Sequence, residues 1–398
     1  MNVLTVYIHI PFCTVKCGYC DFNAYAGMDR LKGAYFAALL REMEGWRDVL
    51  RGRLVTSISF GGGTPGEFAA EWIGEIVGAV GHLAEVEARA EISLEANPGT
   101  TTLAYLRELR AAGVNRVSFG AQSFDADELS FLDRIHSPQA TAASVALARE
   151  AGIASVGLDL IYGLPGQAEA TWLASLRRAI ELVPDHISCY GLTVEEGTPL
   201  ARDVAAGTVV PLDPDAVAEM YELAEQTLET AGYEHYEISN WARPGHESRH
   251  NSAYWTDTEY LAIGAGAHGY LGGERYENVA HPRAYIAATA GAGLTEVAGR
   301  LRPAVAEAYM PSGTTAMFDW LATALRLTTG FELNAFERRF GTSLDAVARE
   351  PLQRCTAGGL LERTPDGMRL TPRGRLLHSE VMAEVLAHLT RGDHGRAG

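Results

Sequence analysis

Three cysteines, Cys13, Cys17 and Cys20, fall within eight residues at the spacing C-x3-C-x2-C, in a chain of 398 residues with five cysteines in all. They follow directly on Val3–Ile10, a stretch rich in β-branched and aromatic residues that reads as a strand. Pro11 ends that strand, because proline has no N–H to give to a ladder. The cysteines therefore sit on a loop past the end of a first strand, the end where α/β domains bind ligands. Three thiolates on one loop suit an iron–sulfur cluster. In a 4Fe–4S cube they leave one iron without a protein ligand, open to a chelator such as the amino and carboxylate groups of S-adenosylmethionine (SAM). A zinc site would draw on His9 as fourth ligand. The odd cysteine count and the lack of a secretory signal argue against a disulfide.

Further strands are read at Val55–Phe60, Glu91–Ala96, Asn115–Ser123, Ala154–Leu164 and His186–Thr193, with a last one at Tyr233–Ser239. Helical periodicity falls between them, at Asp29–Leu50, Trp72–Leu83, Thr101–Ala112, Ala140–Ala151, Trp172–Leu182 and Asp213–Ala231. Gly113 and Gly152 stop two of these helices, and Asp213 with Pro214 starts another. Strands alternating with helices predict a parallel sheet with crossover helices. The six such units are fewer than the eight of a closed barrel.

Polar residues and glycines collect at the strand ends. Gly61-Gly62-Gly63-Thr64-Pro65 follows the second strand at once, where glycines let backbone approach a ligand. Glu95 stands at the tip of the third strand, as a solvated carboxylate or a ligand contact. Gln122 ends the fourth strand, and Arg134 comes a helix later, free to pair with a surface acid or face the ligand end. Asp159 lies among apolar neighbours in the fifth strand and needs a partner, either ligand hydroxyls or Arg134. Cys189, within the sixth strand, reads as a small core residue.

The cysteine spacing, with the aromatic Tyr19 before the last cysteine, resembles that of radical-SAM proteins. The longer string Y-I-H-I-P-F-C-x3-C-x2-C-D-F-N from Tyr7 to Asn23 resembles the coproporphyrinogen oxidase-like branch, and within it the heme chaperones. The resemblance implies an α/β fold, an open partial (β/α) barrel over residues 1–240. It implies a 4Fe–4S cluster on Cys13, Cys17 and Cys20, and SAM held by Tyr7, Tyr19, Gly62, Gly63, Thr64, Glu95, Gln122, Arg134 and Asp159. In this family the glycine segment pairs through its backbone with the amino group of the SAM methionine.

A second motif, His250-Asn251-Ser252-Ala253-Tyr254-Trp255, lies in a segment at 241–300 that connects two domains. It is similar to the H-N-x-x-Y-W pattern associated with heme binding in this branch. A neutral histidine nitrogen ligates heme iron, Tyr and Trp offer flat faces to a porphyrin, and Arg243 or Arg249 would meet a propionate. His250 is the ligand candidate, with His246 and His268 competing; a hydrogen-bonded histidine closing the barrel is the other reading. The resemblance thus implies a heme-binding chaperone that transfers heme to an acceptor protein, one that membrane association would suit. The alternative is oxygen-independent oxidative decarboxylation of coproporphyrinogen III, or another radical-SAM reaction on a tetrapyrrole. The decarboxylating enzymes carry a further cysteine two positions after the third, where this chain has Phe22.

Beyond Ala280, the run Ala287–Gly293 reads as a helix end passing into a linker, and Arg300–Pro311 as irregular or short-helical. Helices at Phe318–Leu325, Phe331–Phe340, Leu344–Gln353 and Arg375–Leu389, with a hairpin turning at Asp366-Gly367, predict a smaller α+β, winged-helix-like domain over 301–390. A short tail, 391–398, follows. Winged helices often bind DNA, but the net charge of −17 argues against nucleic acid as a partner. With no run of apolar residues long enough to span a bilayer, the expected location is cytoplasmic, with peripheral membrane contact left open.

Overall fold

The computed structural model describes residues 3–291, 295–311 and 313–394, with side chains through 389. The chain forms two compact units: Met1–Glu234 with Trp241–His250 and Glu259–Tyr309, and His235–Asn240 with Asn251–Thr258 and Met310–Gly398. The division falls inside the second motif, since His250 belongs to the first unit and Asn251–Trp255 to the other.

Six parallel strands build the first unit: β1 (Val3–Ile10), β2 (Leu54–Gly62), β3 (Glu85–Ala96), β4 (Arg116–Gln122), β5 (Ser155–Tyr162) and β6 (His186–Gly191), adjacent in chain order. These are the six expected units of an open partial barrel. Alternation along each strand sorts the side chains. Leu4, Val6, Ile8 and Ile10 of β1, Val117 and Phe119 of β4, and Val156, Leu158 and Leu160 of β5 are fully buried. Each such residue contributes about 1.5–3 kcal/mol through burial. The residues between them are small or polar and meet one another inside the barrel. Ser93 donates to Ser59 at 3.0 Å, and Ser118 and Ser188 donate to Asp159 at 3.0 and 2.7 Å. The interior is therefore a polar container with apolar staves. Its helices end as expected, with Gly113 and Gly152 at φ +101° and +80°.

β1 is not an edge strand. On its other side it pairs in parallel with β7 (Tyr260–Ile263), and the sheet continues antiparallel through β8 (His268–Leu271), β9 (Glu274–Asn278) and β10 (Val305–Tyr309). The expected connecting segment 241–300 thus supplies strands to this sheet. Residues 300–311, expected to be irregular or short-helical, instead form the strand Arg300–Arg302 and β10. Arg300–Arg302 pairs with Thr295–Val297, and β10 is a strand because β9 offers an edge, a long-range partner that local periodicity does not show. The linker expected at Ala287–Gly293 begins after a helix at Pro282–Ala288; its last two residues, and 395–398 of the tail, lie outside the described residues.

The second unit has helices at Gly313–Ala324, Leu333–Phe340, Leu344–Ala357 and His378–His394 around a small sheet. The hairpin pairs Leu361–Arg363 with Gly367–Leu370, and Phe331–Glu332 adds a third strand ahead of the helix expected there. Leu321, Phe336, Leu352, Met368 and Val385 form its core, which gives the α+β, winged-helix-like arrangement. No helix among the described residues is long and apolar enough to cross a membrane.

Candidate functional site

The cysteine loop is an excursion pinned at its base. Phe12–Cys13 pairs in parallel with Tyr25–Ala26, and Tyr25 N–H donates to Pro11 O at 2.7 Å. Between these points the chain has neighbours to hold it. Glu67 accepts from Thr14 N–H and Oγ1–H at 3.0 and 2.7 Å. Gly18 N–H donates to Asp133 at 2.9 Å, and a side chain at Gly18 would strike that carboxylate. Cys13, Cys17 and Cys20 all line one cleft of about 360 Å³ and all are free thiols. Burial pushes the Cys13 thiol up to about 11 and raises Cys20 as well, so without a metal both stay protonated near neutral pH, and a metal would have to displace their protons. Thr64 Oγ1 lies 3.4 Å from Cys13 Sγ.

The glycine run folds against β1. A side chain at Gly61 would meet the Tyr7 ring at 2.9 Å, one at Gly62 the His9 ring at 2.6 Å, and one at Gly63 the Phe12 carbonyl oxygen at 2.6 Å. The N–H groups of the run are spent: Gly62 on Glu95, Gly63 on Ile10 O at 2.8 Å and Thr64 on Phe12 O at 2.8 Å. It is therefore no anion cradle, and what it can turn to a ligand is carbonyl oxygen, an acceptor for an ammonium group.

The neighbouring strand ends carry the titratable groups. Glu95 opens into the cleft, and the surrounding protein together with Asp159 pushes its carboxyl up to about 8. Burial also raises Asp159, which accepts from Ser118 and Ser188; these serines, rather than Arg134, are its direct partners. Arg134 is no surface ion pair. It donates to Asn97 Oδ1 at 2.5 Å and Gly120 O at 2.8 Å, and its Nη1 lies 3.7 Å from Cys17 Sγ. Its buried Nε has no partner in the protein. Gln122 lines the same wall at φ +62°, a conformation uncommon outside glycine and held here by the fold. Tyr19 lines the cleft and rests on Leu132, Ile161 and Leu164.

Cys13, Cys17, Cys20, Tyr19, Gly62, Gly63, Thr64, Glu95, Gln122, Arg134 and Asp159 are thus brought together on one cleft. Tyr7 is not among them: its side chain points into the barrel beneath Gly61, with its hydroxyl 3.0 Å from His9 Nδ1. Asn97 was missed. It follows Glu95 by two residues and links Thr64, at 3.2 Å, to Arg134. The zinc arrangement lacks its fourth ligand, because both ring nitrogens of His9 are engaged, with Tyr7 and with Asn23 O at 2.9 Å. Cys189 is buried in β6 and Cys355 in the core of the second unit. Three clustered thiols facing a cleft, beside an unpartnered guanidinium nitrogen, fit a cluster with one open iron and a ligand that carries a carboxylate.

His250 is not at this cleft. It is 3% exposed, its Nδ1 lies 2.8 Å from Ser57 Oγ and its N–H donates to Glu91 at 3.0 Å. Burial drives its pKa down to about 3, so the ring is neutral. With Ser248 and Arg249, which also bond Glu91, it lies across the barrel end where the strands begin. So placed, the ring is too deeply buried for a heme iron to reach. His246 bonds Ser155 nearby at 3.3 Å, and His268 is largely exposed on β8.

Residues 7–179 match the radical SAM superfamily and residues 312–377 the HemN C-terminal domain. The solved structure of coproporphyrinogen III oxidase (HemN) from Escherichia coli, a radical SAM enzyme, superimposes with a TM-score of 0.82 over 96% of this chain and 90% of that one. Its 24% identity makes that a likeness of fold. The fold is that of the radical SAM class. The heme chaperone HemW of Mycobacterium tuberculosis is 39% identical over 96% of this chain and 94% of its own length, and that of Bacillus subtilis 33% identical over 97% and 100%. The chain belongs to the HemW family.

Proposed function

We propose that this protein is a heme-binding chaperone that holds a 4Fe–4S cluster on Cys13, Cys17 and Cys20, binds SAM beside it, and passes heme to an acceptor protein. The observation that carries the cofactor assignment is the single cleft onto which the three thiols and Arg134 all open. SAM has an ammonium group, a carboxylate and ribose hydroxyls. The glycine-run carbonyls suit the first, Arg134 the second, and Glu95 and Asp159 the last. A bound cluster would supply electrons and an open iron. The chain's own residues orient the ligand and keep the loop in place. The name of the relatives favours the chaperone reading, and so does Phe22, which is 63% exposed on the cleft rim where the decarboxylating enzymes carry a cysteine. The net charge of −17 speaks against a nucleic-acid partner. The setting that fits is the cytoplasm, with the acceptor at a membrane surface.

Two measurements test this. Anaerobic titration of the cluster-loaded protein with heme is expected to saturate near one heme per chain; no saturable binding sinks the chaperone reading and turns attention to coproporphyrinogen decarboxylation. His250 takes part as iron ligand only if its segment leaves the barrel end, so His250→Ala belongs in the same titration, and an altered heme spectrum would assign it that role. Calorimetry of SAM binding is expected to show Arg134→Gln weaker by about 10- to 100-fold, the loss of a charge-assisted hydrogen bond of about 1.5–3 kcal/mol. Unchanged affinity at equal iron content would remove Arg134 from the SAM site.

A further inference from the structure

Two residues of the opening motif, Tyr7 and His9, stand inside the barrel rather than on the cleft, and their contacts run in a line. At the lower end, the His250 ring lies over the Tyr7 ring, with centroids 6.2 Å apart and planes 30° from parallel. Ser57 holds His250 from the neighbouring strand at 2.8 Å. Above, Tyr7 Oη is 3.0 Å from His9 Nδ1, and His9 Nε2 is 2.9 Å from Asn23 O. A carbonyl only accepts, so Nε2 carries the ring hydrogen, Nδ1 accepts, and the tyrosine hydroxyl donates. The direction of both bonds to His9 is thereby set. Asn23 is three residues past Cys20, and its side chain ties the loop's return to Ala265 O and Ala280 O, each at 2.9 Å.

The glycine run is shaped to this line. β1 and β2 pair Tyr7 with Ser59 and His9 with Gly61. Gly61 and Gly62 have no side chains where the Tyr7 and His9 rings lie. Glycines that sequence reasoning assigns to a ligand therefore also make room for two aromatic rings. Ser57, Tyr7, His9 and His250 are each buried or half-buried, so the line is shielded from solvent along its length.

We propose that Tyr7 and His9 are positioning residues forming a column, based on His250, that sets the main chain of the cysteine loop. Through it His250 bears on the cluster site at the opposite end of the barrel. The proposal rests on the reading of the three cysteines as cluster ligands. It gives His250 a role in cluster geometry whether or not it also meets heme.

The test uses the full-length chain, reconstituted anaerobically with iron and sulfide, as wild type, Tyr7→Phe, His250→Ala and the double variant. Tyr7→Phe removes one hydroxyl and leaves the ring. Ser93→Ala, which removes a hydroxyl from the same barrel interior outside the column, is the control. Release of cluster iron to a chelator is expected to be about tenfold faster in each column variant, in line with losing an outer-shell partner of a metal site. The electron paramagnetic resonance signal of the reduced cluster should shift in both, and the double variant should match the stronger single one, because one broken link already uncouples the column. Ser93→Ala should match wild type. If His250→Ala does not fold, Ser57→Ala, which removes only its partner, takes its place. Wild-type release and spectra in either Tyr7→Phe or the His250 arm, or additive effects in the double variant, overturn the proposal. Alkylation rates of Cys13, Cys17 and Cys20 in the metal-free chain give a readout that needs no cluster, and both variants should change the ratio among them. If the wild type takes up no cluster, the proposed function fails while this ratio still decides the column.

Discussion

Replacing any one of Cys13, Cys17 or Cys20 with alanine is expected to bring bound iron from about four per chain to background after reconstitution, and to remove the visible absorbance of the cluster. The size of the effect follows from ligand number. A cube held by three thiolates has no spare protein ligand, and loss of one leaves two irons open. Neither of the other cysteines nor His9 can step in. Cys189 is 1% exposed within β6, Cys355 lies in the core of the second unit, and both ring nitrogens of His9 are taken. Cys189→Ala and Cys355→Ala are therefore expected to keep wild-type iron and sulfide. Iron and sulfide analysis beside visible absorbance decides the matter. Full iron retained in Cys17→Ala would show that the loop is not the site. The neighbours of the loop grade the effect: losing Asp133, which holds Gly18 N–H, should weaken uptake without abolishing it.

The cysteine loop and the six βα units could be read from the chain because their signals are local. An eight-residue strand ended by proline, a glycine run after the next strand and a 3.6-residue apolar repeat each need only their own window. Strands β7 to β10 could not. Tyr260–Ile263 and His268–Leu271 have four residues each, with Gly264 and Gly266 between them and Gly269 inside the second, so locally they read as a turn. They are strands because β1, more than 200 residues earlier, offers a second edge. Tyr7 shows the same limit at a single residue. The resemblance placed it at the SAM site, but the pairing of His9 with Gly61 and the space left by the glycines show that these side chains face inward under the run. For Arg134 the local sequence left a surface cation and a ligand-end residue equally open, and its place beside Cys17 is held by its bond to Gly120 O in β4. Glu42 left a trace that could have been followed, a carboxylate on the apolar stripe between Leu39 and Met43 of one helix.

That carboxylate carries the largest expected stability effect. Glu42, in the helix Lys32–Gly45, is fully buried and accepts from Tyr285 Oη at 2.5 Å, Gly264 N–H at 2.9 Å, Asn278 Nδ2 at 2.7 Å and Trp46 Nε1 at 3.4 Å. It thus fastens the helix to the turn before β8 and to β9, and the same turn holds Asn23 through Ala265 O. Glu42→Ala would strand several buried donors at once and is expected to cost about 3–5 kcal/mol, read as a fall in the thermal midpoint. The pH dependence follows from its burial, which pushes the carboxyl from 4.5 up to about 7. A carboxyl raised in the folded state binds its proton more tightly there than in the unfolded chain. Its contribution is therefore complete below about pH 4.5 and is lost as pH rises through about 7, a swing of roughly 3 kcal/mol. Glu42→Gln has no proton to lose. The difference in midpoint between wild type and Glu42→Gln should then be largest near pH 5 and shrink toward pH 8, while every other titrating group cancels in the comparison. A difference that stays constant across that range would mean that Glu42 is ionised throughout, its charge carried by the four donors alone.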